Sequence, residues 1–214
     1  MAYEKKSIRA IIEDLNSRRI YLPAIQRKFV WKDLQIERLL DSIMLGYPIG
    51  TFLFWKVKKT IVNQKDYSMY EFIKDYHERD TSNNPAAPQP FPVSSGDETI
   101  WTVLDGQQRL TSLYIALQGS MSRKLPSKHW KNDDAFPKKE LYFNLHSEKA
   151  DEEDISYEFK FLTADEASKN KEDDKIWYLV KDILKYSAED LLPEVIIPND
   201  WATDKIATKN ISLL

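Results

Sequence analysis

The stretch VLDGQQRLTSLYIAL, residues 103–117, runs from apolar residues through Asp-Gly-Gln-Gln-Arg into a helical pattern. Leu110, Leu113, Tyr114 and Leu117 recur at i, i+3, i+4 and i+7 and predict an amphipathic helix. Ile100, Trp101, Val103 and Leu104 before them are strand formers. The polar pentad, Asp105 to Arg109, therefore falls at a strand-to-helix turn. Two readings of it are open. In one, Asp105 is the N-cap and Gln108 the third helical residue, which makes a capping box, and Arg109 pairs with Asp105 four residues earlier. In the other, Gly106 allows close backbone approach to an anion, free N–H groups point at it, and Arg109 grips a phosphate.

The composition is that of an ordinary globular chain: 214 residues, 42% hydrophobic and 12% aromatic. There is no cysteine, which removes disulfides, thiolate nucleophiles and cysteine metal sites and suits a reducing, cytoplasmic location. The histidines, His77, His129 and His146, lack zinc-ligand spacing and read as solvated loop residues. Neither a signal peptide nor a membrane-spanning run is visible, so no membrane partner is expected. A net charge of −3 offers no broad attraction to nucleic acid, so any DNA contact must be local. The basic clusters Arg18–Arg19, Lys56, Lys58–Lys59 and Lys138–Lys139, and the acidic run 151–154, read as solvated faces.

Outward from the pentad, Ser7 caps a predicted helix to about residue 17 with Ile8, Ile11, Ile12 and Leu15 on one face. The extended segment RIYLP stops at Pro23, and Ile36, Leu39, Leu40 and Ile43 predict a second helix ended by Gly46. TFLFWKV, residues 51–57, reads as a buried strand, 67–78 as strand or helix, and 79–98 as a long loop, mobile or functional. Strands are predicted at ELYFNL, YEFKFL and IWYLV, and helices at 164–171 and 188–192. Helices interleaved with at least four strands imply one α/β or α+β domain over residues 1–214, with a mixed β-sheet flanked by helices.

Two stretches together, LPAIQRKFVWKDLQIERLLDSIMLGYPIGTFLFW and WTVLDGQQRLTSLYIAL, resemble the N-terminal domain of GmrSD-type modification-dependent restriction systems and the related SspE phage-defence proteins. The Gln-Arg near the N-terminus, the Trp a few residues later, the Pro-x-Gly before a strand and the Asp-Gly-Gln-Gln-Arg turn occur in the family's order. LYFNL and WYLVKDIL extend the resemblance over roughly residues 20–186. It implies a ParB/sulfiredoxin-like fold and a nucleotide triphosphate bound and hydrolysed at the pentad. On that reading the N–H groups of Gly106 and Gln107 meet phosphate oxygens and Arg109 meets the β- or γ-phosphate. Asp105 orients water or a magnesium ion, Gln108 bonds a phosphate or the attacking water, and Gln26 and Arg27 reach the same cleft. Trp31 is expected to bury against the second helix.

The resemblance also implies modified DNA as a partner of the full system and a His-Asn-His type nuclease domain in cis or in trans. Neither that nuclease motif nor the family's closing segment is seen before Leu214, so the chain is expected to be a piece of a longer protein. The sulfiredoxin branch relies on a cysteine that this chain lacks. Two other functions compete: a ParB-like DNA- or nucleotide-binding module without hydrolysis, and a metal-dependent nuclease using Glu158 and Lys160 on one face of a strand.

Overall fold

Residues 99–105 are rich in β-branched and aromatic side chains, and they form the strand on which the other elements assemble. The computed structural model describes residues 4–25, 28–65, 67–147, 156–169, 175–186, 206–207 and 209–210. In chain order the elements are α1 (Ile8–Asn16), β1 (Ile20–Pro23), α2 (Asp33–Met44), β2 (Leu53–Lys58), α3 (Lys59–Gln64), β3 (Met69–Tyr70), β4 (Asp75–His77), β5 (Thr99–Asp105) and α4 (Gln107–Gln118). β6 (Ser120–Ser122), β7 (Glu140–Asn144), β8 (Phe159–Leu162), α5 (Ala164–Lys169), β9 (Trp177–Leu179) and a 3-10 turn at Val180–Lys185 follow. The predicted helix at 188–192 lies outside the described residues.

The main sheet is mixed, in the order β2-β5-β1-β3, with β5 parallel to β1 and antiparallel to β2. β4 and β6 form a parallel pair, and β7 stands between β8 and β9 in an antiparallel sheet. Alternation along β5 and β1 sorts side chains between two cores. Ile20, Leu22 and Val103 join the larger one with α1, α2 and α4, whereas Tyr21 and Ile100 join Val57, Val62, Ala87 and Phe91 on the other face.

Both N-terminal helices end as their sequences dictate. Ser7 Oγ accepts from the Ala10 N–H at 3.2 Å, as an N-cap does. At the end of α2, Gly46 takes φ 74°, its N–H bonds Ile43 O at 2.9 Å, and the Tyr47 N–H bonds Ser42 O at 2.9 Å, which is a Schellman motif.

Four expectations need correction. α4 is enclosed rather than amphipathic: every residue from Leu110 to Leu117 is buried, because α1, α2, β6, β7 and the 3-10 turn pack around it. β2 is not a buried strand but the sheet's edge, with Leu53 43% and Trp55 44% exposed and Val57 buried. The loop 79–98 is anchored, since Asn63 brackets the Phe91 backbone with two hydrogen bonds and Ala87 and Phe91 enter the second core. His77 lies on β4, half-buried against the Phe136 ring at 4.7 Å, and is not a solvated loop residue.

α2 holds the second sheet by two carboxylates one turn apart. Glu37 Oε1 accepts from the Phe161 N–H at 3.1 Å, and Asp41 Oδ1 accepts from Tyr157 at 2.7 Å and Ser156 at 3.2 Å. Glu37 thereby satisfies an N–H of β8, an edge strand that would otherwise present it unpaired, and Asp41 satisfies those of Ser156 and Tyr157 shortly before the strand. Asp41 is 4% exposed, so Asp41→Ala strands buried donors and is expected to cost about 1–3 kcal/mol in urea unfolding. Burial raises the Glu37 carboxyl above its ordinary value, although the Phe161 N–H opposes that. The stabilisation from holding its proton is complete below the unfolded-state pKa and is lost as pH rises through the folded one. Glu37→Gln keeps an acceptor for Phe161, so its stability relative to the parent is expected to improve between acid pH and pH 7. Paired urea titrations at the two pH values check this, and a gain confined to acid pH contradicts it.

Candidate functional site

The pentad lies where β5 gives way to α4, and the turn between them is made by one residue. Gly106 takes φ 87°, the left-handed region, and a Cβ there would come within 2.5 Å of Phe52 Cδ1. Both backbone conformation and space therefore require glycine. Asp105 is not the N-cap but the last residue of β5; Gly106 is the N-cap and has no side chain to offer. The predicted capping box is absent here. One does occur at α5, where Thr163 and Glu166 bond each other's N–H groups at 3.2 and 2.8 Å.

The consequence is an uncapped helix end. The first backbone bond into α4 is from the Leu110 N–H to Gly106 O at 2.9 Å. The N–H groups of Gln107, Gln108 and Arg109 precede it, and no side chain among the described residues caps them. They border a cleft of about 380 Å³ walled by Ile25, Trp31 and Leu104 and floored by the pentad itself. Trp31 is half-buried against the main core while also forming this wall.

The longer side chains of the pentad turn to the surrounding loops. Gln108 Nε2 donates to Lys28 O at 3.1 Å and its Oε1 accepts from the Val30 N–H at 3.0 Å, so this amide replaces a strand neighbour for residues 28–30. Arg109 donates to Ile49 O and, at 2.9 Å, to Thr51 O; its guanidinium lies 5.0 Å over the Phe52 ring and 3.6 Å from Asp105 Oδ2. Gly50, at φ 83°, is constrained from both sides too, since a Cβ there would overlap Arg109 Nη1. Gln107 Nε2 reaches back to Val103 O at 3.3 Å. Asp105 is left at the mouth, its side chain 72% exposed. The strut functions of Gln108 and Arg109 were not legible in the sequence, because their partners are backbone carbonyls and amides far along the chain.

Gln26 and Arg27 lie outside the described residues. The residues beside them border the cleft: Ile25 lines it and Lys28 is held by Gln108. Glu158 and Lys160 come together, but as an ion pair at 2.8 Å that also includes Lys175 at 2.9 Å. Burial works to raise the Glu158 carboxyl, yet the bonds from Lys160, Lys175 and Asn144 outweigh it and hold the group below its ordinary value. Among the described residues no three histidine or carboxylate side chains gather into a metal-binding group, and no helix is long and apolar enough to cross a membrane.

Residues 8–212 match the family described as the GmrSD restriction endonuclease N-terminal domain. A curated relative, an uncharacterized protein of Methanocaldococcus jannaschii, is 29% identical over 117 residues, which cover 55% of this chain and 18% of that protein. The chain thus aligns with less than a fifth of that relative's length.

Because lysine has no planar fork, Arg109→Lys cannot hold two carbonyls and a ring at once. With the Arg109 side chain 21% exposed, loss of the fork is expected to cost about 1.5–3 kcal/mol and to sensitise residues 46–52 to protease. Thermal denaturation and mapped limited proteolysis read both effects.

Proposed function

The chain belongs to the family of GmrSD restriction endonuclease N-terminal domains, and from that premise we propose that it is the nucleotide-binding and hydrolysing regulatory domain of a modification-dependent restriction system. The observation that carries the proposal is the uncapped start of α4 opening into the cleft. Unpartnered N–H groups at the positive end of a 12-residue helix favour an anion, and a polyphosphate is the anion suited to several of them together.

In this reading the N–H groups of Gly106 and Gln107 take phosphate oxygens. Arg109, fixed by Ile49 and Thr51, supplies positive charge beneath the β- or γ-phosphate. Gln108 holds residues 28–30, which directly follow Gln26 and Arg27 in the chain, and in this reading those two reach the same cleft. Asp105 is the one carboxylate of the pentad. Magnesium is commonly held by one or two carboxylates together with substrate phosphates, so Asp105 fits either as that ligand or as the group that orients the attacking water. The nucleotide state is then passed to a His-Asn-His type nuclease domain, in cis or in trans, that cuts modified DNA.

Phosphate release with all four nucleoside triphosphates and magnesium tests the reading. Asp105→Asn is expected to keep nucleotide binding by calorimetry and to lose turnover at least about tenfold, since the amide lacks the negative charge that favours the metal and cannot take a proton. Unchanged turnover removes Asp105 from the chemistry, and binding without turnover in the parent chain replaces the NTPase by a binding module. Incubated with glucosylated, phosphorothioated or plain DNA and magnesium, the chain alone is expected to leave the DNA uncut on a gel. Specific nicking abolished by Glu158→Ala would reverse that assignment.

A further inference from the structure

A second cavity, of about 430 Å³, lies where α1 ends and β1 begins. It is distinct from the cleft at the pentad: Tyr114, in its wall, is seven residues into α4 from Gln107, about 10 Å along the helix axis at 1.5 Å per residue. Its walls include the rings of Tyr21, Phe72 and Tyr114; Asn16, Arg18 and Glu71 form one polar side, and Lys74 and Asp75 add a second pair of opposite charges to the lining.

Two features of that polar side are costly unless they are used. Glu71 Oε1 is buried and accepts no hydrogen bond; Arg18 Nε approaches to 3.2 Å and gives only an ion pair. A buried acceptor without a donor is the group whose desolvation a ligand N–H would offset. Arg18 itself occupies the C′ position of α1 at φ 54°, in a Schellman motif formed by the Arg18 and Arg19 N–H groups on Leu15 O and Asp14 O at 3.0 and 2.9 Å. Glycine is the conformationally easy residue there, and α2 has it at Gly46. The arginine at this position, with its side chain 66% exposed, places a cation on the cavity rim beside Glu71.

The chemistry of these groups limits the ligand. Tyr114 Oη donates to Asn16 Oδ1 at 3.0 Å, which fixes the amide at the cavity edge with its nitrogen as a donor. Burial first, and then the Glu71 carboxylate, pushes both Tyr21 and Tyr114 above the ordinary phenol value, so the interior disfavours anions. A full cation is not required either, because Arg18 neutralises Glu71, and the second carboxylate, Asp75, accepts from Ser120 Oγ at 2.7 Å in a lining that also holds Lys74. What remains is a flat, uncharged molecule with N–H donors for Glu71 and an acceptor for Asn16.

We propose that this cavity binds a nucleobase bearing an exocyclic amino group, which donates to Glu71 while the ring lies among Tyr21, Phe72 and Tyr114. Adenine, cytosine and guanine qualify. Thymine and uracil offer a carbonyl in place of the amino group, and that oxygen would face the carboxylate. The base can arrive on a free nucleoside or in a single strand, in which case Arg18 on the rim meets the adjoining phosphate. The site does not depend on the nucleotide reading of the pentad.

Titration of the full chain with cytidine, adenosine and thymidine, followed in amide correlation spectra, provides the test, with short oligodeoxycytidylate and oligothymidylate as the strand-borne arms. Cytidine and adenosine are expected to move resonances of Tyr21, Glu71 and Tyr114 and to bind at least about tenfold more tightly than thymidine, as sites that hydrogen-bond their ligand reject analogues lacking the donor. Glu71→Gln is expected to lose most of that preference. The preference in the parent chain stands as evidence even where the variant folds poorly. Binding of nucleosides alone assigns a free ligand, and tighter binding of the oligodeoxycytidylate assigns a strand. The proposal is overturned by thymidine binding as tightly as cytidine, by an alkylamine doing so, by shifts confined to residues 105–109, or by no binding in any arm.

Discussion

The left-handed backbone of Gly106, pressed against the Phe52 ring, is the constraint on which the rest of the molecule depends. β5 is the strand shared by β1 and β2, and α4 is the helix enclosed by α1, α2, β6, β7 and the 3-10 turn. One residue joins them, so its backbone angles set the direction in which the most enclosed helix leaves the central strand. A side chain there would meet both the cost of the left-handed region and a ring it could not displace without moving the 49–52 turn.

The pentad then acts outward from that joint. Arg109 fastens the turn before β2 and Gln108 fastens the segment before α2, so two polar side chains at the start of one helix fix two loops, the second of which runs between the cleft residues Ile25 and Trp31. Such partners suit their chemistry: a guanidinium holds separate carbonyls with its fork, and a carboxamide gives and receives along an extended backbone. The backbone N–H groups are left to the cleft. Loops anchored in this way present binding groups with less ordering still to be done when an anion arrives.

Carboxylates do comparable work elsewhere in the fold. Glu37 on α2 covers an N–H of β8 and Asp41 those of Ser156 and Tyr157 shortly before it, while Asp14 draws Lys6 and Arg19 to the flank of α1. Glu71 and Asp182 differ, each with a buried oxygen whose ion pair leaves it without a hydrogen bond, and Glu71 is the one of the two that lines a cavity.

Local sequence determined what local physics controls. The Ser7 cap, the Gly46 stop, the strand-to-helix switch at the pentad and the strands before and after it follow from spacing, capping chemistry and β-branched content, all of which act within a few residues. Only tertiary structure decided that β2 stands at the edge, that α4 is enclosed, and that Gln108 and Arg109 are struts. An apolar run reads alike whether one face or both are covered, and what covers it comes from elements far away in sequence. Arg109 meets carbonyls 60 and 58 residues earlier, and every residue carries a carbonyl, so no side-chain pattern could announce the pairing.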